Sequence, residues 1–140
     1  IKQRIAELKS RITEGGLHEA AIRSLVYIGL AGDGVDERAF NELRKIRAEN
    51  ESMSLQEFKQ ILREQFFGLL LDKDAALAAI PTMLPADAAV RAKTLEAIRR
   101  TVEAVGKPGG ERAERLAEIE KLFAAVDPKK SGKRAARKSA

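Results

Sequence analysis

The chain contains no cysteine and no tryptophan, one histidine (His18), one tyrosine (Tyr27) and four prolines among its 140 residues. Without cysteine there is no disulfide framework, no thiolate zinc site and no cysteine nucleophile. A single histidine makes any histidine-based metal site depend on carboxylates or on a second chain. No cofactor and no metal are expected. Long apolar runs are missing as well. The longest uncharged stretch, Ala75 to Ala86, spans twelve residues and holds Pro81 and Pro85, against roughly 20 for a spanning helix. Lys2, Arg4, Glu7 and Lys9 interrupt the N-terminus, which is unlike a signal peptide. The expectation is a cytoplasmic protein without a membrane span. Position 1 is Ile, so the sequence is read as a piece of a longer polypeptide.

What is present favours helix. Apolar residues make up 44 % and charged residues 34 %, a globular balance at one domain's length. Ala (23) and Leu (15) dominate the apolar set, whereas Val and Thr together supply ten residues. β-branched side chains lose freedom in helices and suit pleated sheets, so their scarcity points away from strand. Charge is uneven. The net charge is +5, but Lys129, Lys130, Lys133, Arg134, Arg137 and Lys138 crowd the last twelve residues. Without them 20 basic residues face 21 acidic ones, so the body is near neutral. The organisation expected is a helical domain over residues 1–126 and a basic tail over 127–140. With no large apolar residue to bury, that tail is expected to be disordered. It reads either as a solubilising terminus or as an arm for nucleic acid, anionic surfaces or an acidic partner.

Apolar spacing marks the helices in order. Ile1, Ile5, Leu8 and Ile12 line a first helix that Gly15-Gly16 ends. A second runs from about His18 to Ala31, apolar around much of its circumference and therefore central. Asp36 can cap a third with the stripe Phe40, Leu43 and Ile46. Ser54 and Glu57 form a capping-box pattern opening a fourth, through Phe58, Leu62, Phe66 and Leu69. Asp72 to Leu84 reads as a short helix stopped at Ile80-Pro81. Asp87 precedes a further helix with Val90, Leu95, Ile98 and Val102, and the last, from about Glu111 to Ala125, carries Leu116, Ile119, Leu122 and Phe123. The fold class expected is all-α, a bundle of six to seven helices. Its core should contain Ile22, Leu25, Phe40, Leu43, Leu62, Phe66, Ile98 and Leu122. A shift of 76 residues superposes Ile22, Arg23 and Val26 on Ile98, Arg99 and Val102, and Phe40, Leu43 and Ile46 on Leu116, Ile119 and Leu122. The echo points to two related helical hairpins.

The run from Ile12 through Gly15-Gly16 and Tyr27 to Ala31, followed by Val35 to Phe40, resembles the C-terminal region of a proteobacterial family. Its members are called poly(3-hydroxyalkanoate) synthetase-like proteins and have no known function. Glu57 to Lys59, Arg63 to Phe67, Leu70 to Asp72, Ala75 to Pro81 and Glu114 to Phe123 are similar to the same region. The repeated helix, glycine-acid turn and helix is also similar in architecture to the tellurite-resistance TerB-like fold. The first resemblance implies an upstream α/β-hydrolase-like region. No Gly-x-Ser-x-Gly elbow occurs in this chain, so it carries no hydrolase or acyltransferase residue over to any position here.

Asp33, Asp36 and Glu37 cluster at a glycine turn, where oxygen ligands could hold a hard cation, although the calcium-loop spacing fails. Helix capping accounts for the same residues. His18 beside Glu19 reads as a capping or surface histidine. Arg23 and Tyr27, one turn apart, could pair with each other, and Arg99-Arg100 continue a basic strip. Solvated helix faces also explain all four. Phe66, Phe67, Leu69, Leu70 and Leu71 are more apolar residues than one helix face buries, since neighbours point about 100° apart. Phe67 and Leu71 are the candidate interaction residues, beside the six cations of the tail. The function expected is a non-catalytic interaction or scaffolding module, the C-terminal part of a larger synthetase-like α/β-hydrolase protein. Its partner would be its own upstream region or a second copy of itself. The alternative is a nucleic-acid-associated helical protein using its basic tail. A near-neutral body, 4 % aromatics and no recognition-helix signature weigh against that alternative.

Overall fold

Short acceptor side chains set the starts of three helices in the computed structural model of the protein. It describes residues 2–31 and 53–126, with Asn41, Arg44, Lys45 and Ala48 between them. The elements are α1 (Lys2–Ser10), a 3-10 turn η1 (Arg11–Thr13), α2 (Leu17–Gly29), α3 (Leu55–Leu71), α4 (Lys73–Met83), α5 (Ala88–Glu103) and α6 (Gly110–Ala124). Ser54 Oγ accepts from Glu57 N at 3.1 Å ahead of α3. Asp87 Oδ1 accepts from Ala89 N at 2.9 Å ahead of α5. Asp72 serves two helices. Its N–H donates to Gly68 O at the end of α3, and its Oδ1 accepts from Ala75 N at the start of α4. Each bond satisfies a backbone group that a helix end leaves without a partner. No strand occurs among the described residues, and the fold is an all-α bundle.

α2 lies at the centre, packed against α3, α4, α5 and α6. Ile28, Ile80, Leu84, Ile98 and Ile119 are almost wholly buried, and one core cluster runs from Ile12 to Val126. Ile22 and Ile98 are buried as the stripe pattern requires, while Leu25 and Leu122 pack against the core half-buried. Leu62 is half-buried. Phe66 departs from expectation: it is exposed. The face of α3 that turns inward carries Phe58, Gln65, Gly68 and Leu69, and Phe66 points some 60–100° off it. α1 departs too. None of its residues is buried, Ile5 is exposed, and only Ile12 in η1 reaches the core.

Pro81 does not stop its helix, which continues to Met83. Proline removes the N–H that would serve the carbonyl of Leu77. Burial holds the last turn in place, because Ile80, Met83 and Leu84 all enter the core there. Gly15 makes the turn from η1 into α2 with φ +109°, and a Cβ there would sit 2.9 Å from the Glu19 side chain. Of the 76-residue echo, Ile22 and Ile98 share burial, but Arg23 is buried whereas the Arg99 side chain is 36 % exposed. The third helix expected around Phe40, Leu43 and Ile46 and the tail over 127–140 lie outside the described residues.

Candidate functional site

α2 buries Arg23 and Tyr27 one turn apart, and they do not meet each other. Tyr27 faces α6. Its hydroxyl donates to Glu118 Oε2 at 2.8 Å. The Arg115 guanidinium stacks 4.5 Å from the ring centroid and donates to Tyr27 O at 2.7 Å and to Glu111 Oε1 at 2.9 Å. Burial first, then the hydrogen bond and charge of Glu118, push the phenol up to about 12. Cation, ring and two carboxylates close this cluster on itself.

Arg23 faces the other way, toward α3 and α4, and is 2 % exposed. Its Nε donates to Gln65 Oε1 at 2.8 Å and its Nη1 to Ala76 O at 2.9 Å. It forms no ion pair among the described residues. Desolvation lowers its pKa to about 10, with Glu19 opposing the shift, so the side chain is charged at neutral pH. Gln65 is itself 5 % exposed. Because arginine only donates, the amide oxygen of Gln65 must face Arg23, which leaves the Gln65 Nε2 donors directed elsewhere. No described residue accepts from them, nor from Arg23 Nη2. Both side chains line a half-enclosed cavity of about 350 Å³ between η1, α2 and α3. At its lip Arg11 Nη1 bridges to Glu64 Oε1 at 3.3 Å, and Glu19 Oε1 accepts from Gly16 N at 3.1 Å. Glu14 also lines the cavity.

The outer side of α3 is a third feature. Leu55, Phe66, Phe67 and Leu70 are exposed, Leu70 by 61 %, and the two phenyl rings meet edge to face at 6.0 Å. Lys59 and Arg63 stand exposed two turns and one turn ahead of Phe67 on the same side, without an ion pair among the described residues. Of the two interaction residues read from the sequence, Phe67 is open to solvent at 44 % and Leu71 is half-buried.

Over 126 residues, 88 % of this chain, the sequence is 41 % identical to a protein of Rhizobium meliloti described as an uncharacterized protein in the ackA 5′ region. The match spans 17 % of that relative's length. No family model and no solved structure matches the chain.

The remaining sequence candidates fall in different places. Asp33, Asp36 and Glu37 lie outside the described residues, as do Lys129, Lys130, Lys133, Arg134, Arg137 and Lys138. Among the described residues no group of three or more His, Cys, Asp or Glu is placed to hold a metal ion. No described helix is long and apolar enough to cross a membrane. His18 is exposed in the first turn of α2. The pairing of Arg23 with Tyr27, and their reading as a solvated face, are both overturned. Arg23 sits in a helix whose i−3, i+1 and i+4 neighbours Ala20, Ser24 and Tyr27 are all buried. That local burial was the available signal. The basic strip at Arg99 is also corrected, since Arg99 bonds Glu120 at 2.8 Å and Glu96 at 3.5 Å. Gln65 is the functional side chain that the candidate motifs do not include. It stands seven residues after Phe58 and four before Leu69, squarely on the buried stripe.

Proposed function

We propose that this chain is a non-catalytic helical interaction module of a longer, synthetase-like protein and docks through the outer face of α3. The observation carrying this reading is the exposure of Phe66, Phe67 and Leu70 together on one helix. Large apolar side chains grouped at the surface mark contact sites more often than isolated ones do. The proposed occupant is the remainder of the longer polypeptide. The relative supports that choice, because this chain matches 17 % of it and the rest offers surface to be covered. Lys59 and Arg63 beside the patch favour a partner with an apolar centre and an acidic fringe.

Phe67→Asp and Leu70→Glu are expected to weaken co-purification with the upstream part of the parent at least tenfold. Far-ultraviolet circular dichroism should hardly change, because both side chains already face solvent. Leu70 is the cleaner probe than Leu71, which is half-buried. Unaltered binding by both variants sinks the reading. Self-association lost with the same substitutions would move the partner from the upstream region to a second copy.

A further inference from the structure

The cavity between η1, α2 and α3 presents a problem in hydrogen-bond accounting. Arg23 has five N–H groups, of which one on Nε and one on Nη1 have acceptors among the described residues. Gln65 adds two more donors with none. Buried donors left without acceptors are costly, and they are rare in native structures. Here they line one wall of the same cavity. Acceptor oxygens belong against that wall.

Carboxylates line the same cavity, with Glu19 one turn ahead of Arg23 on the same face of α2. Glu14 and Glu19 line it, and Glu19 has one carboxylate oxygen committed to Gly16 N. Glu64 is engaged by Arg11 and by Gln60. Counting formal charge, the lining holds two guanidinium groups against three carboxylates. A doubly charged phosphate would suit the inner wall but be repelled by the lip. A single carboxylate matches a guanidinium fork, and an ammonium group matches the lip. Leu8 and Ile12 supply apolar contact for a short chain of methylenes between them. A volume of about 350 Å³ lies at the lower end of the range, roughly 300–1,000 Å³, that small-molecule sites occupy.

We propose that this cavity binds a small amine-carboxylate zwitterion, its carboxylate against Arg23 and Gln65 and its ammonium group against Glu14 and Glu19. The lowered pKa of Arg23 fits, because a bound carboxylate would offset the desolvation of the guanidinium. The site is separate from the outer face of α3, and neither proposal depends on the other.

Calorimetric and ¹⁵N NMR titrations of the chain with glycine, β-alanine and 4-aminobutyrate test it, with acetate, methylammonium and inorganic phosphate as controls. At least one amino-carboxylate should bind, shifting the Gly15 and Gly16 amides and the Gln65 side-chain NH₂ resonances. Acetate and methylammonium should each bind about tenfold more weakly, since each lacks one charged contact. Glu14→Gln should lower affinity for the amino-carboxylate about tenfold, leave acetate binding unchanged and leave the melting temperature unchanged. It carries the test even where Gln65→Leu or Arg23→Met proves too unstable to titrate. Absence of shifts with all three amino-carboxylates at millimolar concentration overturns the proposal, leaving the donors to water. Phosphate binding more tightly than any of them, or Glu14→Gln binding as the unaltered chain does, overturns it too.

Discussion

The two polar clusters on α2 differ in closure, and the shallower one is the more completely closed. At Tyr27 every group has a partner: the hydroxyl meets Glu118, the ring meets Arg115, and Arg115 meets Glu111. At Arg23 a more deeply buried guanidinium has one amide oxygen and one backbone carbonyl. Burying polar groups is tolerable when each finds a partner and costly when it does not. The first cluster is therefore a clamp between α2 and α6. The second is a partly satisfied wall, and it borders the cavity.

The largest expected effect breaks the open cluster. Arg23→Ala should destabilise the chain by about 3 kcal/mol, since it leaves Gln65 Oε1 and Ala76 O without their donor and opens a void. Arg23→Met should cost less, because it refills the space, although Gln65 Oε1 and Ala76 O lose their donor in both variants. Urea denaturation midpoints of the two variants give the ratio. Equal losses would mean that the charge, and not the volume, is what the core requires.

Next in size is Gly15→Ala, at the lip of the same cavity. A positive φ costs an L-residue roughly 1–2 kcal/mol, and the added Cβ would press on Glu19. A loss of about 2 kcal/mol in chemical denaturation is expected. No loss would show that the turn into α2 relaxes freely.

Tyr27→Phe tests the closed cluster and should cost about 1 kcal/mol at neutral pH, the net value of one buried hydrogen bond. Its pH dependence is more telling. The folded chain holds the phenolic proton more tightly than the unfolded chain, with the pKa raised from 10.0 to about 12. The resulting stability is intact below pH 10 and is lost as pH rises through about 12. Thermal melts across that window should fall more steeply for the unaltered chain than for Tyr27→Phe. Parallel curves would refute the assignment.

The smallest effect belongs to Arg99, the counterpart of Arg23 in the 76-residue echo. Its ion pairs with Glu120 and Glu96 are partly exposed, so Arg99→Ala should cost about 0.5 kcal/mol or less, and less still in high salt. Measured against Arg23→Ala, it shows how much of an arginine's effect depends on burial.

Much of the fold was legible in spacing. Ile98, Leu116, Ile119 and Phe123 recur at helical intervals and are buried, and Ser54, Asp72 and Asp87 stand where caps belong. Periodicity reports which face is apolar, however, and says little about a polar residue on that face. Arg23 reads as solvated because most charged side chains are, and nothing in the pattern marks Gln65. They are buried because the two sit across from each other on α2 and α3, a pairing 42 residues apart in sequence. Phe66 failed in the opposite sense. Its helix offers more apolar residues than one face holds, and Gln65 and Gly68 occupy inward positions that hydrophobicity alone would have given to phenylalanine. The exposure of Phe67 could be read beforehand, from that surplus of apolar residues, whereas the cavity could not. It depends on η1 packing against α3 and α4, and Gly15 permits the turn from there into α2.

The closed cluster also carries its own light source. With one tyrosine and no tryptophan in the sequence, emission excited at wavelengths that phenylalanine does not absorb arises entirely from the ring between α2 and α6. A carboxylate hydrogen-bonded to a phenol quenches it, so the folded chain should be dim and separation of α6 from α2 should brighten it. The signal reports that one contact and none other. Emission that rises before overall helicity is lost would reveal α6 leaving the bundle as an independent unit, without any label having been attached.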